Sequence, residues 1–127
     1  MQYFDHEKLD VYQKAIEFVA LIESIVKQFP KGRAYLIDQL QRAGSSVVLN
    51  IAEGAGEFSM NEKIRFYRMA RRSATECVGI LDICMHFNLI DENISLKSRN
   101  LLLRIVSMLT KMARITSGTQ AGRQTFT

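Results

Sequence analysis

Residues 50–59 read NIAEGAGEFS and lie between two stretches with the composition of helices. The preceding run, SSVVL, is apolar, and the following run, NEKIRFYRMARRSATE, is rich in arginine and in residues that favour helices. Three interpretations of the two glycines are open: a phosphate-binding loop, a catalytic turn, or the junction of two helices. The choice among them decides both the fold and whether the chain is read as an enzyme.

Apolar side chains recur every three or four residues in four segments, which is the spacing of one face of an α-helix. The first helix is predicted to begin with Asp10 as its N-cap and to stop at the turn signal FPKG of residues 29–32. Ser59, with Glu62 three residues later, and Asp91 are predicted to cap the third and fourth helices. The predicted stripes are Val11, Ala15, Ile16, Val19, Ile22 and Val26; Leu36, Leu40, Ala43, Val47 and Ile51; Tyr67, Ala70, Ala74, Cys77, Val78, Leu81 and Cys84; and Leu101, Leu102, Ile105, Leu109 and Met112.

No window alternates with a period of two, so we expect an all-α fold, an antiparallel up-down-up-down four-helix bundle. Residues 1–116 are predicted to form the bundle and residues 117–127, which are polar and contain glycine, a flexible C-terminal tail. The apolar faces are wide, because Ile37, Val48, Leu103 and Val106 lie outside the main stripes. A thick monomer core and a second buried surface both explain this width, and we favour a homo-oligomer.

The composition is that of a soluble globular protein. The chain has 127 residues, of which 47% are apolar and 24% charged. No run approaches the length of a membrane span, and the polar N-terminus lacks the pattern of a secretory signal. Cys77 and Cys84 lie two turns apart on one predicted helix, too far for a disulfide, so we expect reduced thiols in a cytoplasmic protein.

The glycine stretch does not fit a phosphate loop or a catalytic turn. A phosphate loop follows a strand and opens a helix, whereas these glycines follow a helix and precede an acid, Glu57. A catalytic interpretation would use Asn50 and Glu53 with Glu57 or Glu76. Yet no histidine or nucleophilic thiol is placed beside them, and no metal-ligand spacing occurs. We therefore predict no catalytic residue, no metal and no cofactor.

A helix junction explains the stretch better. Gly54 falls on the buried stripe of the second helix, where the lack of a side chain permits close approach of another helix. Gly56 is predicted to end that helix as a left-handed C-terminal cap. Asn50 and Glu53 border the stripe and can satisfy helix ends or hold polar groups of the next helix.

Three segments also carry a family resemblance: LDVYQKAIEFV, FPKGRAYLIDQLQRAGSSVVLNIAEGAG and IRFYRMARRSATE. In this order, over about residues 9–115, they are similar to the four-helix-bundle family named for the S23 ribosomal protein, or 23S rRNA intervening-sequence protein. The sequence departs from the family at Val48 and Leu49, where members often have proline and serine, and at Arg72, where many have a small residue. The family motif, expected to be mainly structural, comprises Asn50, Glu53, Gly54, Ser73 and Glu76.

The resemblance implies a bacterial four-helix bundle that commonly assembles as a homopentamer and has no known enzymatic activity. Some members are encoded inside intervening sequences of 23S rRNA genes. A related branch is the accessory variability protein of diversity-generating retroelements, a basic pentamer that works with a reverse transcriptase and nucleic acid. The function of the family is otherwise unsettled.

Positive charge is concentrated in the second half of the chain. Residues 1–57 carry six bases and eight acids, and residues 58–127 carry eleven bases and five acids. Two alternatives follow: the basic faces bind structured RNA, a ribonucleoprotein or a nucleic-acid-processing protein, or they only solvate an oligomeric scaffold that has protein partners. The candidate nucleic-acid-binding residues share polar helix faces and are Arg65, Arg68, Arg71, Arg72, Lys97, Arg104 and Lys111.

Overall fold

The structure, a computed structural model, describes the backbone of residues 2–125 and the side chains of residues 2–118. A short 3-10 helix, Asp5–Lys8, precedes four α-helices, and no strand occurs within the described range. The helices are α1 (Asp10–Val26), α2 (Ala34–Gly56), α3 (Met60–His86) and α4 (Glu92–Thr125). The prediction of an all-α fold with four helices is therefore confirmed.

The starts of α3 and α4 follow from local capping. Ser59 Oγ accepts a hydrogen bond of 3.3 Å from the backbone N–H of Glu62, and Asp91 Oδ1 accepts one of 2.8 Å from that of Ile94. Both caps are as predicted, and each satisfies a backbone donor that a helix start leaves free. The Glu62 carboxylate binds Arg65 instead of returning to the cap.

Two other predicted helix ends are wrong. Asp10 is the first helical residue of α1, and the cap position before it is Leu9, whose side chain makes no capping bond. Gly56 is not a left-handed cap. It is the last residue of α2, and the chain leaves the helix through Glu57 in an extended conformation, with φ −78° and ψ 141°. Extension at Glu57 already turns the chain away from the helix axis, so no left-handed residue is needed.

The fourth helix ends later than predicted. The apolar stripe stops near Ile115, but α4 continues to Thr125. Helix propagation adds one backbone bond per residue, and no proline interrupts residues 116–125. Residues 117–125 are therefore helical, whereas the flexibility predicted for residues 117–127 stays a prediction and residues 126–127 lie outside the described chain.

The core lies between the four helices, with contacts between α1 and α2, α2 and α3, α3 and α4, and α1 and α4. The predicted stripes of α2, α3 and α4 face it, with Val78 and Met112 only partly buried. On α1 the buried face is rotated from the prediction: Phe18 and Ile25 are 0% and 3% exposed, whereas Ile16 is 41% exposed. Residues 11, 15, 18, 22 and 25 form one continuous series at spacings of three and four, and this series faces the core.

A thick core accounts for most of the predicted width of the apolar faces. Ile37, Val48 and Val106 are partly buried and pack against the core cluster. Only Leu103, at 55% exposure, stays on the surface. Cys77 and Cys84 are both buried and free, as expected for reduced thiols. Within the described range, no helix has the length and hydropathy needed to cross a membrane.

Candidate nucleic-acid interface

The glycine stretch is a close junction between α2 and α3. Gly54 is buried, and a Cβ atom added to it would lie 2.8 Å from Tyr67 Cε1 and 3.0 Å from Phe66 Cβ. Lys63 Nζ donates hydrogen bonds of 3.0 Å and 3.1 Å to the carbonyl oxygens of Gly54 and Ala55. The lysine thus satisfies the last carbonyls of α2, where a positive charge is also favoured by the helix dipole. This geometry is that of a helix junction.

The polar residues of the family motif divide into two groups. The hydroxyls of Ser46 and Ser73 are hydrogen-bonded at 2.8 Å, and Asn50 Nδ2 donates to the carbonyl and hydroxyl oxygens of Ser46 at 2.8 Å and 3.0 Å. This network connects α2 to α3. Glu53 and Glu76 are instead exposed and form no hydrogen bond or ion pair within the described part of the chain. The grouping of Asn50, Glu53 and Glu76 considered from sequence is therefore not a hydrogen-bonded cluster.

The arginines of α3 are not equivalent. Arg65 binds Glu62 at 2.7 Å and lies 4.7 Å above the ring of Phe66. The hydrogen bond from Arg65, opposed by partial desolvation, holds the pKa of the Glu62 carboxyl below its ordinary value. Arg68 and Arg72 are exposed and have no acid within ion-pair distance among residues with described side chains. The free charge of α3 therefore lies on the residues after Arg65.

Arg71 points from α3 to α4. Its Nη1 donates a hydrogen bond of 3.4 Å to Thr110 Oγ1, and Thr110 donates its own proton to the carbonyl of Val106 at 2.8 Å. This contact joins residues that are 39 positions apart. It places the basic side chains of α3 beside those near the C-terminal part of α4.

Three depressions on this surface share lining residues. One on α3, of about 540 Å³, and one between α3 and α4, of about 230 Å³, share Arg68 and Arg71. The second depression shares Thr110 and Arg114 with a third on α4, of about 560 Å³. They therefore adjoin one another, and we call them together the basic groove. Its charged residues are Arg65, Arg68, Arg71, Arg72, Lys111 and Arg114.

The residues that line the basic groove differ from the candidates predicted from sequence at three positions. Arg114 lines two of the depressions but was not predicted from sequence. The sequence feature that could have identified Arg114 is its position three residues after Lys111, which places both on the same side of α4. Lys97 and Arg104 line none of the three depressions. At 1.5 Å per residue, Lys97 lies about 25 Å along α4 from Arg114.

The chemistry of the basic groove suits phosphate. Among the described residues, no carboxylate lines any of its three parts. Glu62, which pairs with Arg65, and the charges of Glu57 and Glu53 act on the groove at Arg65. Guanidinium groups remain charged and form paired hydrogen bonds with phosphate oxygens. Among the described residues of the lining, the aromatic one is Tyr67, which is 4% exposed and offers no face on which a base could stack. Such side chains can contact phosphate groups but offer no platform for reading bases.

Comparison with known proteins identifies a family and related solved structures. The model of the 23S rRNA-intervening sequence protein family matches residues 7–111. A crystal structure of a protein of unknown function from the S23 ribosomal protein family of Bacteroides thetaiotaomicron has a similar fold, with a TM-score of 0.76. That protein is 22% identical to this chain, and the alignment covers 82% of this chain and 95% of the other. None of the curated proteins compared with the chain matches it.

Proposed function

Because the chain belongs to the 23S rRNA-intervening sequence protein family, as the sequence motif predicted, we propose that it is a non-enzymatic, homo-oligomeric protein that binds structured RNA or a ribonucleoprotein. The basic groove is the proposed binding surface. The observation that carries the proposal is the cluster of arginines on α3 and α4, of which only Arg65 pairs with an acid in the described part of the chain, in a groove whose described lining has no carboxylate.

The mode of binding follows from that lining. Each phosphate neutralised by an arginine or lysine releases a counterion, so affinity should fall steeply as salt rises. No exposed aromatic side chain lines the groove within residues 2–118, which supports recognition of RNA shape and backbone rather than sequence.

Assembly is part of the proposal. The protomer is proposed to be an antiparallel up-down-up-down bundle that forms a homopentamer in the cytoplasm. The order of cross-helix contacts supports antiparallel neighbours: late in α2, Gly54 faces Tyr67, and earlier in α2, Ser46 bonds Ser73, farther along α3. Large apolar side chains left exposed on the protomer, including Leu49 at 60% and Leu103 at 55%, support a further buried interface.

The groove also supports a binding rather than a catalytic role. The described residues of its lining include no histidine, cysteine or carboxylate beside a hydroxyl that would serve as a nucleophile. His6 lies in the N-terminal 3-10 helix, 4.6 Å from the ring of Tyr12, and His86 ends α3. In the described part of the chain, no group of histidine, cysteine and acidic side chains is suited to hold a metal.

The experiment is a fluorescence-anisotropy titration of labelled, structured RNA with the purified protein at several salt concentrations, with the oligomeric mass measured on the same sample. We expect saturable binding, and the logarithm of the association constant should fall linearly with the logarithm of the salt concentration. No binding even at low salt would refute the proposal.

One observation favours a second candidate, an oligomeric scaffold with protein partners only. Phe58 is fully exposed beside the α2–α3 junction, and such an aromatic side chain is typical of protein contacts. If this alternative is correct, the purified oligomer will ignore RNA, and Phe58→Ser will weaken capture of a protein partner. A partner that itself processes nucleic acid would be consistent with both candidate functions.

A further inference from the structure

The part of the basic groove between α3 and α4 differs from the parts on either side. Its volume, about 230 Å³, is less than half that of each neighbour. Tyr67 and Leu109 line it from the protein interior and are 4% and 1% exposed. Arginines from both helices line it: Arg68, Arg71 and Arg114. We call this part the interhelical cleft.

The three guanidinium groups have few competing partners. Arg68 and Arg114 form no ion pair within the part of the chain whose side chains are described. Arg71 makes one hydrogen bond across the cleft, to Thr110, and at 3.4 Å it is longer than an ordinary N–H···O bond. An oxyanion is a stronger acceptor than a threonine hydroxyl and would attract the same donor. Ser117, whose hydroxyl bonds no described residue, adds a neutral donor to the lining.

The number and type of donors select the ligand. Three arginines from two directions present planar forks that match a tetrahedral anion with several oxygens better than a carboxylate with two. Because no acid lines the cleft among the described residues, a bound anion would compensate the like charges of the arginines. We propose that the interhelical cleft binds one phosphate group, held by Arg68, Arg71 and Arg114. This inference rests on the proposed function, because the group would belong to bound RNA, as a terminal phosphate or as one backbone phosphodiester.

The cleft is tested first with inorganic phosphate alone, by isothermal titration calorimetry at constant ionic strength with chloride replaced. We expect saturable binding by the wild type and an equal affinity in Arg104→Gln, a matched control because Arg104 lies on α4 outside the groove. Arg114→Gln should bind about tenfold more weakly, the effect of losing one charge-assisted contact. Arg114→Lys, which retains the charge without the planar fork, should fall between them.

Two results would overturn the inference. One is the lack of saturable phosphate binding by the wild type, and the other is equal affinity in the wild type and Arg114→Gln. Arg114 is exposed, so its substitution is expected to leave the fold intact, and thermal melting followed by circular dichroism checks this. Because Arg104→Gln loses the same charge on the same helix, it separates a local site from a general effect of charge.

The second arm identifies the source of the phosphate with three RNAs of one sequence, carrying a 5′-hydroxyl, a 5′-phosphate or a 3′-phosphate. Tighter binding of a phosphorylated end, lost in Arg114→Gln, assigns the cleft to a terminal phosphate. Equal binding of all three, together with saturable phosphate binding, assigns it to the backbone. Phosphate binding without RNA binding supports the cleft and refutes the proposed function. RNA binding without phosphate binding supports the proposed function and refutes the cleft.

Discussion

Replacement of Gly54 by alanine tests the packing of the α2–α3 junction. The added Cβ would lie 2.8 Å from Tyr67 Cε1 and 3.0 Å from Phe66 Cβ, inside ordinary contact distance. Neither atom moves easily, because the Tyr67 ring is buried and a Cβ atom follows its own backbone. The helices would therefore have to separate by several tenths of an ångström along this contact.

The expected change in the free energy of unfolding is the difference between two opposing effects. Overpacking a close contact costs about 1–3 kcal/mol. Alanine is favoured over glycine inside a helix by about 1 kcal/mol. The net expectation for Gly54→Ala is therefore a loss of up to about 2 kcal/mol in the free energy of unfolding.

Gly79→Ala is the matched control. Gly79 lies inside α3, and a Cβ added there meets no atom within 4 Å, so only the helix preference acts. This variant should gain up to about 1 kcal/mol. Urea unfolding of the wild type and both variants, at one protein concentration, measures the difference directly. If Gly54→Ala gains as much stability as Gly79→Ala, the reasoning about close helix approach is refuted.

Three further predictions concern the interior and the family motif. Burial, aided by the nearby charge of Glu76, raises the pKa of the Cys77 thiol to about 12. Above about pH 8.5 the unfolded chain therefore loses the Cys77 thiol proton that the folded chain keeps, so the free energy of unfolding should fall as pH rises. Urea unfolding from pH 8 to 10 should show a smaller dependence of this free energy on pH in Cys77→Ala than in the wild type. Asn50→Ala should lose about 1 kcal/mol with its hydrogen bonds, whereas Glu53→Ala, at an exposed residue without a bond, should stay within about 0.5 kcal/mol; equal melting temperatures of the two would contradict this. Lys63→Met should lose about 1 kcal/mol by removing the donor to the last carbonyls of α2, and an unchanged unfolding midpoint would count against that role.

The features that the sequence predicted correctly depend on local chemistry. The caps at Ser59 and Asp91 involve bonds that span three residues, and the stop at residues 29–32 needs only proline and glycine, with Gly32 at φ +93°. Such interactions form within one segment of chain, so they do not depend on how the helices pack. The pairing of Arg65 with Glu62 is likewise a contact at i, i+3, and a sequence reader could anticipate it.

The features that the sequence did not predict depend on how helices meet. α1 offered two overlapping apolar series, and packing against α2 selected the one that contains Phe18 over the one that contains Ile16. Arg114 gained its importance from the proximity of α3, shown by the contact between Arg71 and Thr110. A helical projection of α4 alone carries no information about that neighbour, so it grouped Lys97 and Arg104 with Lys111 although only Lys111 lines the groove.

The central claim, that the basic groove binds RNA, is tested most directly by two double variants that remove equal charge. Arg68→Gln with Arg71→Gln removes two positive charges from the middle of the groove. Lys97→Gln with Arg104→Gln removes two positive charges outside it. RNA affinity is measured by anisotropy across salt for both and for the wild type. We expect the groove variant to lose at least about tenfold in affinity. Its log–log salt slope should fall by about 1.5, while the control stays near the wild type. An equal loss in both variants would contradict the account, because charge alone rather than the groove would then determine binding.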